Sequence, residues 1–195
     1  MILEGIVTTL GADDRVNVAP MGPVVPDDAR ECWQTFELRP FNTSQTAANL
    51  LAHPEGVLHV HDDVLLLAQA AIGPVEPLPT LLPASKIRGW LLADACRALE
   101  FRIVACDDSK PRLRLRAEVV HTHRLRDFFG LNRAMFAVVE AAILATRTHL
   151  IPPEDIAADF RRLAVLIDKT GGPRERAAFE LLQQHVRLAA PPSNS

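Results

Sequence analysis

The chain has 195 residues, 48% of them hydrophobic, and a formal net charge of −3. That length supports one substantial core, or a core with a smaller appendage. The mildly acidic balance lacks the basic face that nucleic acid demands, and the apolar run VLLLAQAAIG (64–73) is too short to span a bilayer.

At the N-terminus, MILEGIVTT carries an early acid and no basic residue ahead of its apolar ones, which is not a signal-peptide pattern. ILEGIVTTL (2–10) and VNVAPMGPVV (16–25) are rich in Val, Ile and Thr, and GADDR between them reads as a hairpin turn. CWQTFELRPF (32–41) alternates, with Cys32, Phe36 and Leu38 on one parity and Trp33, Thr35, Glu37 and Arg39 on the other. This predicts a half-buried strand with Arg39 near its end. A helix follows, capped by Asn42, Thr43 or Ser44, with Ala47, Leu50 and Leu51 as its buried stripe. GVLHVH (56–61) is a further strand, and Asp62 and Asp63 can cap a helix through VLLLAQAAI. The prolines of GPVEPLPTLLP (73–83) predict a stiff surface loop.

From Ala95 the pattern is a long hairpin, ACRALEFRIVAC and RLRLRAEVVHTHRL about the turn DDSKP. Beyond Gly130 the spacing becomes helical. Leu131, Met135, Val138, Ala142 and His149 form one series, and Ile156, Phe160, Leu163 and Ile167 the next. Pro152 and Pro153 open that second helix, Gly171 and Gly172 close it, and RERAAFELLQQHVRL forms a third. The expected organisation is a β-rich domain over 1–125, a helical appendage over 126–190 and a disordered tail at 191–195. Antiparallel strands joined by hairpins favour a barrel over a doubly wound sheet. Cys32, Cys96 and Cys106 are odd in number and widely spaced, as expected of reduced, mostly buried thiols in a cytoplasmic protein.

Three constellations could carry chemistry. Arg39 with Thr43, Ser44 and Thr46 surrounds a helix N-terminus, where unpaired N–H groups and a guanidinium suit a small anion, most naturally a phosphate. The plainer alternative is a capped helix with Arg39 paired to Glu37. In NVAPMG (17–22), Pro20 removes a ladder donor and Gly22 adds freedom, which leaves backbone and small side chains for a flat ring or merely ends a strand. HVH (59–61) and HTH (121–123) each put two imidazoles on one strand face. They read as half-exposed strand histidines ahead of a metal site. Nucleophile elbow, Walker loop and G-x-G-x-x-G signatures do not occur, and tyrosine is absent.

In order, EGIVTTL, VNVAPMG, FELRPFNTSQTAANL and GVLHVHDDVLLLAQAAI resemble the FMN-binding split-barrel superfamily that includes flavin reductases. The likeness is to an uncharacterised branch with an R-P-F-x-x-(S/T)-x-T-x-x-N-L segment. The resemblance implies a split β-barrel with inserted helices and FMN bound at a homodimer interface. It implies phosphate contacts at Arg39, Thr43, Ser44 and Thr46. The ring would lie against Asn17, Ala19, Pro20 and Met21, with Val60 and His61 beside it. It further implies a flavin-dependent oxidoreductase of an unidentified small molecule, with a tie to pterin-linked one-carbon metabolism. A non-catalytic FMN carrier or assembly protein is the alternative, and a metal-binding barrel built on the H-x-H strands is a third.

Overall fold

The computed structural model describes residues 1–27 and 33–189, so Cys32 and the expected tail at 191–195 lie outside the described residues. The chain forms two compact units. One comprises Met1–His61 and Glu76–Phe128; the other comprises Asp62–Val75 and the chain from Phe129 onward.

The first unit is built on β1 (Gly5–Leu10), β2 (Val16–Met21), β3 (Thr35–Leu38), β4 (Glu55–Val60), β7 (Arg97–Asp107) and β8 (Arg114–Arg124). These run antiparallel in the order β2-β1-β4-β7-β8-β3. The sheet is not closed. Among the described residues, its β3 edge meets the segment after β2 only at an isolated Val24–Glu37 bridge, made by a pair of backbone hydrogen bonds of 2.8 and 2.9 Å. Pro20 lies on the edge strand β2, where a missing N–H is tolerated. The core on one face gathers Val7, Phe36, Leu38, Leu58, Leu99, Phe101 and Leu115, with Ala47 and Leu50 of helix α1 (Gln45–Ala52). Phe36 meets Phe101 edge-on at 5.2 Å, a favoured aromatic geometry.

Three local expectations need correction. The strand through 32–41 is shorter, beginning at Thr35. Leu51 is 56% exposed rather than buried, because α1 turns only Thr46, Ala47, Asn49 and Leu50 inward. The proline-rich loop is partly a strand: β5 (Leu81–Pro83) pairs with β6 (Trp90–Leu92) as a small second sheet.

The second unit contains α2 (Val64–Ile72), α3 (Arg133–Ala145), α4 (Pro153–Thr170) and α5 (Pro173–Ala189). Helix α2 packs on α3 and α5, although it is drawn from the middle of the β-rich sequence. Its near-continuous apolar composition requires burial on more than one side. Alanines at 134, 137, 141, 142 and 145 make α3 the closely approached helix of this core, and Phe160 stacks on Phe179 at 5.3 Å. Asp63 caps α2, accepting from the amides of Leu65 and Leu66, and pairs with Arg174 at 2.9 Å. His149 lies beyond the end of α3. Among the described residues, no helix is long and apolar enough to cross a membrane.

Candidate functional site

The helix N-terminus forms where the sequence places its caps. Ser44 is the N-cap of α1: its hydroxyl accepts from Ala47 N at 3.2 Å and donates to Phe41 O at 2.7 Å. Ala48 N bonds to Ser44 O at 3.1 Å. The amides of Gln45 and Thr46 precede this first intrahelical bond and have no helical partner of their own. Thr43 is exposed beside them. The Ser44 side chain is therefore a structural cap rather than a free donor.

Asn17 and Thr46, 29 residues apart, are brought together. The Asn17 amide donates to Thr46 Oγ1 at 3.2 Å and to Thr9 Oγ1 at 3.4 Å, and Asn49 donates to the same Thr9 oxygen at 2.9 Å. Gln45 completes the chain by donating to Asn49 at 2.6 Å. This node fixes β2 against α1, and Thr9, Gln45 and Asn49 are members that sequence reasoning missed. For Thr9 and Asn49 the signal was present as polar residues on buried faces, whereas Gln45 is exposed.

Arg39 takes the plainer of its two expected roles in the structure. Its Nε donates to the Glu37 carboxylate, which also accepts from Arg114 Nε at 3.4 Å. Its side chain is still 42% exposed. Arg112 places its guanidinium 4.0 Å from the Phe41 ring centroid and donates to Arg39 O at 3.4 Å. Arg112 and Arg114 thus join Arg39 around one turn. The alternation RLRLR put them on the solvent face without revealing which turn they would meet.

The second group lies at the other end of β2. Met21 pairs with Gly5 on β1 and Ile6 pairs with His59 on β4, so Met21 and Val60 approach the same end of β1. Ala19 and Pro20 lie between, opposite Val7 and Ile6. Four residue steps of strand lead from Asn17 to Met21, roughly 13 Å at the usual rise. His61 follows directly after β4 and is half-buried.

The histidine pairs part company. His59 is fully buried; Ile6 O, 3.1 Å from Nδ1, can only accept, and Leu92 N, 3.0 Å from Nε2, can only donate. This fixes the neutral Nδ1–H tautomer, and burial lowers its pKa to about 3. Together with the Thr8 hydroxyl, which donates to Trp90 O at 2.6 Å, His59 ties β6 to the sheet. A β-bulge between Glu100 and Phe101 brings His121 opposite Glu100, and His123 stands 2.7 Å from Glu100. Glu100 is fully buried and accepts from the amides of Ser85 at 2.6 Å and Lys86 at 2.7 Å. Burial pushes this carboxyl up, but the Ser85 amide, His123 and the Lys86 amide outweigh it and hold the pKa below the ordinary value. No group of three His, Cys, Asp or Glu side chains capable of holding a metal occurs among the described residues. Both nitrogens of His59 are committed, which argues against the metal-barrel alternative.

The donor chemistry at α1 suits a phosphoryl group. A guanidinium, a threonine hydroxyl and two helix-start amides are all donors, and small residues at 19 and 20 leave the adjacent edge strand low. Such a donor set fits the phosphate of FMN.

Residues 3–126 match the N-terminal domain, and residues 132–184 the C-terminal domain, of the family described as protein of unknown function (DUF447). In structure the chain is similar to an FMN-bound protein of Methanosarcina mazei assigned to the same family. The identity is 22% and the TM-score 0.80, over 94% of each chain. It is also similar to a flavoredoxin of Methanosarcina acetivorans (7% identity, TM-score 0.53, 63% of this chain and 68% of that one). An FMN-binding protein of Thermus thermophilus with bound 1-cyclohex-2-enone matches at 13% identity and TM-score 0.52, over 63% of this chain and 70% of that one. No curated protein matches the chain. The fold is thus a mixed α/β one whose open antiparallel sheet is similar to split-barrel-like FMN-binding folds. With both family domains matched in order along most of its length, this chain belongs to the DUF447 family.

Proposed function

We propose that the chain binds FMN on its sheet unit and acts as a flavin-dependent oxidoreductase of a small molecule. The observation that carries this reading is the end-to-end likeness to an FMN-bound member of the same family. The donor set at the start of α1 supports it independently. Bound FMN supplies hydride and single-electron transfer, and the protein's part is binding, orientation and exclusion of water. Arg39, Thr43 and the amides of Gln45 and Thr46 hold the phosphate, and Ser44 holds the helix start in place. Asn17 fixes the angle of β2, while Ala19, Pro20 and Met21 offer backbone to the ring, with Val60 and His61 on its other margin.

A ring laid along an edge strand stays wet unless something covers it, and a second copy of the chain does so with two equivalent sites. The unit is therefore a twofold dimer in this reading. A reduced nicotinamide or a pterin-like molecule is the redox partner. Purified protein tests the function directly. A yellow spectrum with stoichiometric FMN and rapid bleaching by a reduced nicotinamide or pterin is expected. Flavin that binds but is not reduced by either would favour the carrier reading, and a protein with no FMN affinity would overturn both.

A further inference from the structure

At one corner of the sheet Val60 lies opposite Arg97, and Arg97 lies opposite Arg124. Cross-strand partners share a face, and like charges placed there repel. Arg97 and Arg124 both line a cavity of about 520 Å³, a volume typical of small-molecule sites. Its apolar walls include Val60, Leu125 and Phe128.

Three arginines and one aspartate line it. Arg126 also lines the cavity, and its Nε donates to Asp94, at 2.9 Å to the carbonyl and 3.2 Å to the carboxylate. Asp127 is the acid on the lining. Arg97 is steered by Trp33, with its guanidinium carbon 5.7 Å from the ring centroid. Arg124 is exposed and forms no ion pair among the described residues. An oxyanion seated against Arg124, on the face that it shares with Arg97, matches the planar donor fork of arginine.

We propose that this cavity is an oxyanion site for a small molecule that carries a carboxylate or phosphate on an apolar body. Val60 belongs both to this cavity and to the proposed flavin face. The ligand is therefore the flavin's co-substrate, a step that rests on the flavin reading, whereas anion binding itself does not.

Calorimetric titration of the full chain at constant ionic strength tests the proposal, with inorganic phosphate and benzoate as separate probes for the two oxyanions. Wild type should bind at least one of them. Arg124→Gln should weaken that binding about tenfold or more through loss of a charge-assisted fork. The same variant should melt no lower than wild type, because Arg124 is exposed and forms no ion pair among the described residues, and should keep its FMN affinity. Binding of neither probe, equal binding by the variant, or a parallel loss of FMN affinity would overturn the site. The last outcome would make the cavity the FMN phosphate site instead. Failure of the flavin reading shows separately, as wild type that takes up no FMN.

Discussion

Arg39 and Arg114 converge on the Glu37 carboxylate, so the arginine proposed to grip a phosphate already has an anionic partner in the chain. A dianionic phosphate competes for that guanidinium, and the competition defines a test. Arg39→Ala should weaken FMN binding about tenfold to a hundredfold, from charge-assisted bonds of roughly 1.5–3 kcal/mol each. Riboflavin affinity should stay level, and apo stability should change little because exposed pairs contribute little. A lowered apo melting point with unchanged FMN affinity would return Arg39 to a purely structural role. His59 teaches the opposite lesson: a histidine on a strand invites thoughts of a ligand, yet its nitrogens are both spent on backbone. That was illegible in sequence, since Ile6 and Leu92 are remote along the chain. It has a pH consequence. Between its ordinary value of 6.5 and its folded pKa of about 3, the unfolded chain binds a proton at His59 that the folded chain does not. Stability therefore falls as pH drops below 6.5, by about 3 kcal/mol at pH 4.5. Glu100 adds to this at lower pH, because its depressed pKa means its stabilisation is lost as pH falls through the folded value. Urea unfolding between pH 7.5 and 4.5 should show this decline, and a flat profile would contradict the buried neutral imidazole.

The legible elements were those whose periodicity is uninterrupted. The long hairpin of β7 and β8, the caps Ser44 and Asp63, and the proline start of α4 all follow from local rules. β5 and β6 were not legible, because prolines and short length erase alternation and their pairing is supported by Thr8 and His59 from other strands. The bulge that swings His121 to the side of Glu100 has no sequence mark either; an extra residue in a valine-rich strand looks like more strand. Helix α1 gives the prediction at this scale. Ser44→Ala removes the hydroxyl that accepts from Ala47 and donates to Phe41, and should cost about 1 kcal/mol of stability. FMN affinity should drop less than in Arg39→Ala, since the cap positions the helix start without donating to the ligand. Denaturant midpoints and flavin titration of the two variants side by side check this; a larger FMN loss at Ser44 than at Arg39 would reverse their roles.

The helical character after Gly130 could be read from spacing, but the recruitment of α2 into the same unit could not. Its clue was an apolar run with no polar face, which says that the helix is buried and not by what. Assembly is likewise a property of the whole. In the flavin reading the ring is covered by a second copy, so sedimentation should give a dimer at micromolar concentration. A monomer that holds flavin tightly would count against it. A crystal structure of the FMN complex measures most directly the proposed placement of FMN across the sheet unit. The phosphate should lie at the Gln45 and Thr46 amides with Arg39 and Thr43 in contact, and the ring along Asn17 to Met21 beside Val60. Phosphate density between Arg97 and Arg124, with the start of α1 contacting no part of the flavin, would contradict the account.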